Sequence, residues 1–398
     1  MSDMPREKRV LQENVDTLSA QMKEIAAAIF AEPELGYQEF KSSARLADFL
    51  EANGFTVERG LLDMPTAFHA AAGSGQSPHV AFLAEYDALP VLGHACGHNM
   101  FGVAAASAGI ALSRALPGGT VHVFGTPAEE GNVRDAGGKV PMTEAGLFDN
   151  MDAVISAHAE GRTILKQQLI SRANLEMDFR GKASHAAGAP EQGINAQDAA
   201  ALATMGINSL RQHMTSDVRI HGLLTDTGTA INTIPEFARL RYGVRARRPD
   251  TLDKTIERVV NCARCCAQAL GCEFSWRHSA HPYYTMRHNM PLLRAFADNL
   301  ELLGESYIEE VPSSYSTDMG NVSFRAPSIH PYISIGGAHL VGHTPAFAEA
   351  SNSEEGYRGM LLAAQAMAMT GYDVLCNAEL RQAVRAAFDS SDPGSDPD

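Results

Sequence analysis

The chain has 398 residues, 45% of them hydrophobic, 7% aromatic and 20% charged, the make-up of a globular protein large enough for two domains. Asp plus Glu outnumber Lys plus Arg by 47 to 32, a formal charge of −15, which argues against nucleic acid and anionic membrane as partners. The polar start from Met1 to Arg9 has no apolar signal-type stretch behind it, and no run of about 18 apolar residues occurs, so a soluble cytoplasmic protein is expected.

Residues 7–30 place Val10, Leu11, Val15, Leu18, Met22, Ile25 and Ile29 at helical spacing, and Ala31-Glu-Pro-Glu-Leu-Gly36 ends that helix. A second helix carries Phe40, Ala44, Leu46, Phe49 and Leu50 and stops at Gly54. His79–Ala84 is a short apolar run of buried parallel-strand type, and Val121–Gly125 and Ala153–Ala157 repeat it. Between the first two lies a helix of small residues, Gly102–Leu116. Strand alternating with helix predicts an α/β fold, a mostly parallel sheet with helices on both faces.

After about residue 171 the pattern changes. Leu175–Phe179 and Ala238–Arg245 alternate with period 2, helical stretches lie near 194–212 and 250–270, and Cys272–Arg277 closes the segment. That is the ferredoxin-like α+β order, a half-solvated sheet with two helices on one face. After His281-Pro282 the α/β pattern resumes, with a helix near 289–303, a strand near Tyr332–Ile335 and a helix near 354–370. The expected organisation is a discontinuous catalytic domain over 1–171 and 284–388, an inserted domain over 172–283, and a disordered acidic tail over 389–398. Cys262, Cys265 and Cys266, at i, i+3 and i+4 on a helix, read as small buried hydrophobes; a structural zinc site prefers cysteine pairs presented from a knuckle.

Four segments hold metal-type donors, each after a strand or before a helix: His94-Ala-Cys96-Gly-His98-Asn99, Pro127-Ala-Glu129-Glu130-Gly131, His158-Ala-Glu160 and Gly342-His343-Thr-Pro345. Ligands of an open parallel sheet gather at the carboxyl ends of its strands, so distant segments converge on one crevice. Thiolate, imidazole and carboxylate together suit a divalent transition metal. His-Glu-x-x-His, a Walker-type phosphate loop and a Gly-x-Ser-x-Gly elbow are all absent.

On these segments, with Glu34-Leu-Gly36, Glu85-Tyr-Asp-Ala-Leu-Pro90, Gly181-Lys-Ala-Ser-His185 and Asn232-Thr-Ile-Pro235, the chain resembles the aminoacylase and glutamate-carboxypeptidase family of two-metal amidohydrolases. The resemblance runs from about residue 20 to 372 and is nearest the aminobenzoyl-glutamate and indole-acetyl-amino-acid hydrolases; Ser316-Thr-Asp-Met-Gly-Asn-Val322 is similar to the aminobenzoyl-glutamate and dipeptide-cleaving members. It implies a thiolate shared by two ions at Cys96, His98 and His158 on one ion, and Glu130 and His343 on the other. It further implies a general base at Glu129, a carboxylate supporting the site at Asp87, and a lid histidine at His185 presented to a partner subunit. Asn232 and Arg245 match residues that grip a substrate carboxylate or the oxyanion. Two divalent ions, Mn or Zn with Co or Ni also suitable, would polarise a carbonyl and lower the pKa of a water from positions about 3.5–4 Å apart. The implied substrate is a small N-acyl or N-aroyl amino acid or dipeptide with a carboxylate, and the implied assembly is a C2 homodimer through the inserted lid domain. Hydrolytic deamination of an aromatic amine on the same site, and a non-catalytic binding protein, are the other readings.

Two positions depart from the family. Asn99 stands where many relatives have Asp, although the aminobenzoyl-glutamate branch often has Asn. Glu85 stands where relatives often have Asp; it shares one strand face with Asp87, so either could be the supporting carboxylate.

Overall fold

A computed structural model describes residues 4–116, 118–313 and 315–390. The chain divides into two compact units, one running through Leu169 and resuming at Met286, the other Ile170–Thr285.

The first unit opens with α1 (Arg6–Asp16) and α2 (Ser19–Ala31), two helices where the spacing predicts one. Thr17 Oγ1 donates back to the Asn14 carbonyl at 2.7 Å, and Leu18 N donates to Val15 O at 2.9 Å, so a tight turn divides the apolar stripe without interrupting it. Next come α3 (Phe40–Ala52), β1 (Thr56–Arg59), β2 (Phe68–Gly73), β3 (His79–Ala84), α4 (His98–Arg114), β4 (Thr120–Gly125), α5 (Lys139–Glu144), β5 (Ala153–Ile155), β6 (His158–Glu160) and β7 (Ile164–Gln168). Every residue of α4 from His98 to Leu112 is buried. Its small residues permit that: a Cβ at Gly102 would fall 2.2 Å from the Glu85 carbonyl oxygen, so only glycine lets the helix lie this close to the end of β3.

The second unit contains β8 (Ser171–Arg180), α6 (Ala196–Leu210), β9 (Arg219–Asp226), β10 (Phe237–Ala246), α7 (Pro249–Ala269) and β11 (Glu273–Tyr283). The strand order is β11-β8-β10-β9, antiparallel throughout, which is the ferredoxin-like arrangement. Leu175, Met177 and Phe179 of β8 and Leu240 and Val244 of β10 join Ala199, Ala203 and Ile207 of α6 and Leu252, Val259 and Ala263 of α7 in one core. The opposite face is ionic: Glu176 pairs with Arg241 and Arg277, and Asp178 with Arg239. β9 had no period-2 signal because nearly all of it is exposed, Leu223 and Leu224 included. Cys262 and Cys266 are half-buried against the core, whereas Cys265 is exposed, so the helical cysteines are not all buried hydrophobes.

The first unit resumes with α8 (Met290–Leu302), β12 (Ile308–Pro312), α9 (Met319–Ser323), β13 (Ser328–Ile329), β14 (Tyr332–Ser334), α10 (Pro345–Ala350), α11 (Glu354–Cys376) and α12 (Ala378–Ser390). α12 therefore takes in Asp389 and Ser390, the first two residues of the expected tail; 391–398 lie outside the described residues. The main sheet has the order β1-β2-β4-β3-β5-β13, with β4, β3, β5 and β13 parallel and β1 and β2 an antiparallel edge. A smaller sheet, β12-β7-β14-β6, accompanies it. Among the described residues no helix is long and apolar enough to cross a membrane.

Candidate metal centre and active site

Glu85 and Asp87 follow β3, Glu129 and Glu130 follow β4, His158 follows β5, and His343 lies in the loop between β14 and α10. Cys96 and His98 flank Gly97, the left-handed residue (φ +78°) at the start of α4, where a Cβ would fall 2.5 Å from that of Ala159. Two non-glycine residues at the site also have positive φ, Ala128 at 58° and His343 at 62°, a strain of about 1–3 kcal/mol each. Fixed hydrogen bonds hold them: Ala128 N donates to Glu39 Oε1 at 2.9 Å, and His343 N donates to Ala95 O at 3.0 Å.

Donor atoms of Cys96, Glu130 and His343 lie within 4.8 Å of one another. So do those of Glu85, His98 and His158, and those of His98, Glu129 and Glu130. His98 Nδ1 is 3.0 Å from Asp87 Oδ1 and 3.1 Å from the Asp87 carbonyl. Both partners are acceptors, so Nδ1 carries a proton and Nε2 is the atom a metal would take; burial opposes charge on the ring, but Asp87, Glu85 and Glu130 outweigh it and push His98 well above the usual imidazole range. His158 Nδ1 likewise donates to Ala159 O at 2.7 Å. The other Asp87 oxygen accepts from Glu130 N at 3.0 Å, so one carboxylate orients two donors. Glu85 and Asp87 lie just past the end of β3, not on a face of it as expected, and Asp87 is the one that holds His98.

The donor set fits a divalent transition metal. His98 Nε2 and Glu130 Oε1 are buried polar atoms with no hydrogen-bond partner among the described residues. Burial pushes Glu130 up to about 8, with Glu129 and Asp87 adding to it and His98 opposing. Burial, then Glu85, raises Glu129, and burial, then Glu130, raises the Cys96 thiol. Groups held up in this way ionise together once a cation lies among them.

Behind these donors is a network with no motif of its own. Lys139 Nζ is fully buried, 2.7 Å from Glu85 Oε1 and 2.6 Å from Asp318 Oδ1. Burial disfavours its charge, but Asp318 and Glu85 outweigh that and hold it protonated. Lys139 and His330 were not expected at the site; the ring of His330, buried and pushed down to about 3 by that burial, lies 5.8 Å from that of His158. The segment containing Asp318 was singled out only by resemblance. Asn99 donates from Nδ2 to the carbonyls of Ser351 at 2.8 Å and Ala26 at 3.3 Å, a bond an Asp could not make, so its amide ties α4 to its neighbours. His94 is buried and pushed down to about 4, burial being the main cause, and belongs to none of the donor groups above.

The structure thus brings Asp87, Cys96, His98, Glu129, Glu130, His158 and His343 together. His185, Asn232 and Arg245 belong to the second unit. His185 is exposed; its Nδ1 accepts from Gly188 N at 2.9 Å, and Ala186 N donates to the Asn232 carbonyl at 2.9 Å. Arg245 stands directly opposite Arg172 on one side and Arg219 on the other. Burial and then Arg172 push its guanidinium down.

Fold and donor set together define a metal-dependent hydrolase with an α/β catalytic unit and an inserted ferredoxin-like unit. Residues 81–366 match the model of peptidase family M20/M25/M40. The Xaa-Arg dipeptidase of Mus musculus is 37% identical over 401 residues, covering 96% of this chain and 92% of the relative. A p-aminobenzoyl-glutamate hydrolase chain from Escherichia coli is 34% identical over 278 residues, 64% of this chain and 57% of its own length. Among solved structures, an aminobenzoyl-glutamate utilization protein from Klebsiella pneumoniae matches with a TM-score of 0.73 at 19% identity, over 91% of this chain and 98% of that one. A dinuclear metal-binding M20 peptidase from Bacillus subtilis matches with a TM-score of 0.65 at 19% identity, over 90% and 99%. The chain belongs to peptidase family M20/M25/M40 and is a metal-dependent hydrolase of amide C–N bonds.

Proposed function

We propose that this enzyme cleaves dipeptides and N-acyl or N-aroyl amino acids with a free carboxylate, dipeptides ending in arginine foremost, using Glu129 as base beside two divalent ions. The observation that carries the reading is the placement of the Glu129 carboxylate within 4.8 Å of donors from both His98 and Glu130. His98 and His158 would hold one ion, Glu130 and His343 the other, and Cys96 both. Manganese or zinc suits these donors best, with cobalt or nickel acceptable. Such ions polarise the scissile carbonyl and lower the pKa of water. Glu129 takes the water's proton and delivers it to the leaving nitrogen; burial, then Glu85, raises it above the usual carboxylate range, which favours holding that proton between the two steps. Asp87 keeps His98 in the tautomer a metal requires.

Arg245 binds the substrate carboxylate bidentately, aided by Asn232. The row of Arg172, Arg245 and Arg219 supports this, because like charges placed opposite one another favour an anion between them. His185 is offered to the site of a second copy in a C2 homodimer. The arginine preference rests on the dipeptidase relatives, named for that substrate in mouse and human at 37% and 36% identity.

The test strips the enzyme with a chelator, restores Mn, Zn, Co or Ni, and assays Xaa-Arg and other dipeptides, aminobenzoyl-glutamate and N-acetyl amino acids. Stripping should abolish turnover, one of the ions should restore it, and one amino acid should appear per bond cleaved. Turnover indifferent to chelation, or ammonia released without an amino acid, would contradict the proposal.

A further inference from the structure

Glu85 is 2% exposed, and its carboxylate is divided between two neighbours. Oε1 faces Lys139 Nζ at 2.7 Å, and Oε2 faces His98 Nε2 at 3.5 Å. His98 donates from Nδ1 to Asp87, and its Nε2, which has no hydrogen-bond partner among the described residues, is the atom left to a metal. The Nε2–Oε2 contact is longer than an ordinary hydrogen bond, and an ion between the two atoms would satisfy both. The spacing is that of two ligands on one ion: donors about 2.1 Å from a tetrahedral metal are roughly 3.4 Å apart. The pair expected on the other ion has the same form, with His343 Nε2 3.4 Å from Glu130 Oε2. A donor atom of His158 lies within 4.8 Å of those of both Glu85 and His98, which completes a three-donor group on this side of the site.

We infer that Glu85 is a direct ligand of the ion held by His98 and His158, so that each of the two ions has one carboxylate, Glu85 on one and Glu130 on the other. Lys139, itself anchored by Asp318, sets the direction of that carboxylate: it takes Oε1 and leaves Oε2 to the ion. An Asp at this position, one methylene shorter, could not span from Lys139 to His98 in the same way. The inference rests on the metal-dependent reading above.

The test is ion binding by full-length protein without substrate, so that a failure of the function reading, seen as no cleavage by the wild type, is separate from a failure here. Chelator-stripped wild type, Glu85→Gln and Glu85→Asp are titrated with Zn²⁺ and with Co²⁺, and ions per chain are measured at equilibrium. Gln leaves Lys139 paired with Asp318, so the buried charges still balance; Asp keeps the charge and serves if the Gln variant does not fold. Wild type should bind two ions. Glu85→Gln should keep one at wild-type affinity and lose the other by more than a hundredfold, beyond the 10–100-fold typical of a residue that only orients a ligand. Glu85→Asp should weaken the same ion at least tenfold. A folded variant that binds two ions within these limits overturns the inference, as does a wild type that saturates at one.

Discussion

Lys139 is completely buried, with Asp318 at 2.6 Å and Glu85 at 2.7 Å. Removing the cation would leave two carboxylates buried without compensation. Lys139→Met should therefore cost about 3–5 kcal/mol in urea denaturation despite the similar shape of the side chains. A loss below about 1 kcal/mol would show that the network is not an ion cluster. The residues that were legible in the sequence are those whose chemistry is crowded into short segments: Cys96 and His98 two apart, Glu129 beside Glu130. Lys139 and His330 were illegible for the opposite reason. A lone lysine after a glycine pair looks like a solvated turn, and only the tertiary fold reveals that it meets acids from residues 85 and 318. Asp87 and Glu85 were indistinguishable in the sequence; hydrogen-bond geometry separated them, giving Asp87 the Nδ1 side of His98 and leaving Glu85 on the Nε2 side.

At the scale of elements, hydrophobic periodicity found those with one buried side and missed those without. The buried strands β3 and β4 were plain as apolar runs, whereas β9 is exposed along nearly all its length and carries no pattern. The turn between α1 and α2 was hidden because Val15, Leu18 and Met22 keep the apolar stripe continuous across it. Adjacent strands of the main sheet also create something invisible in any one of them. His69 on β2, His122 on β4 and His79 on β3 form a chain, His69 Nε2 to His122 Nδ1 at 2.9 Å and His122 Nε2 to His79 Nδ1 at 3.0 Å. Burial lowers His69, and burial and the two neighbouring rings push His122 down to about 3. A histidine whose folded pKa lies below its unfolded value of about 6.5 contributes its full stability above that value and loses it as pH falls toward the folded one. The urea midpoint should therefore fall between pH 6.5 and 3, and less steeply in His122→Gln. Parallel pH profiles for the two proteins would contradict this.

For the whole molecule, the proposed homodimer would assemble through the inserted unit. Its edge strand β9 exposes Leu223 (60%) and Leu224 (38%), apolar residues on a strand edge of the kind that pairs with a second copy. Sedimentation should find a dimer for the wild type and a monomer for Leu223→Lys; a wild-type monomer would contradict both the homodimer and the role given to His185. The organisation as an interrupted α/β unit with a ferredoxin-like insert was legible because the apolar pattern changes twice, near residues 171 and 283, and the structural units divide at Ile170 and Met286. The central claim is that Glu129 moves the proton while its neighbours hold the ions. Its most direct test is Glu129→Gln with ion content measured beside turnover of an Xaa-Arg dipeptide. The variant should bind two ions as the wild type does and lose about 10²–10⁴-fold in kcat. A variant that keeps its ions and more than a tenth of wild-type kcat would contradict the account.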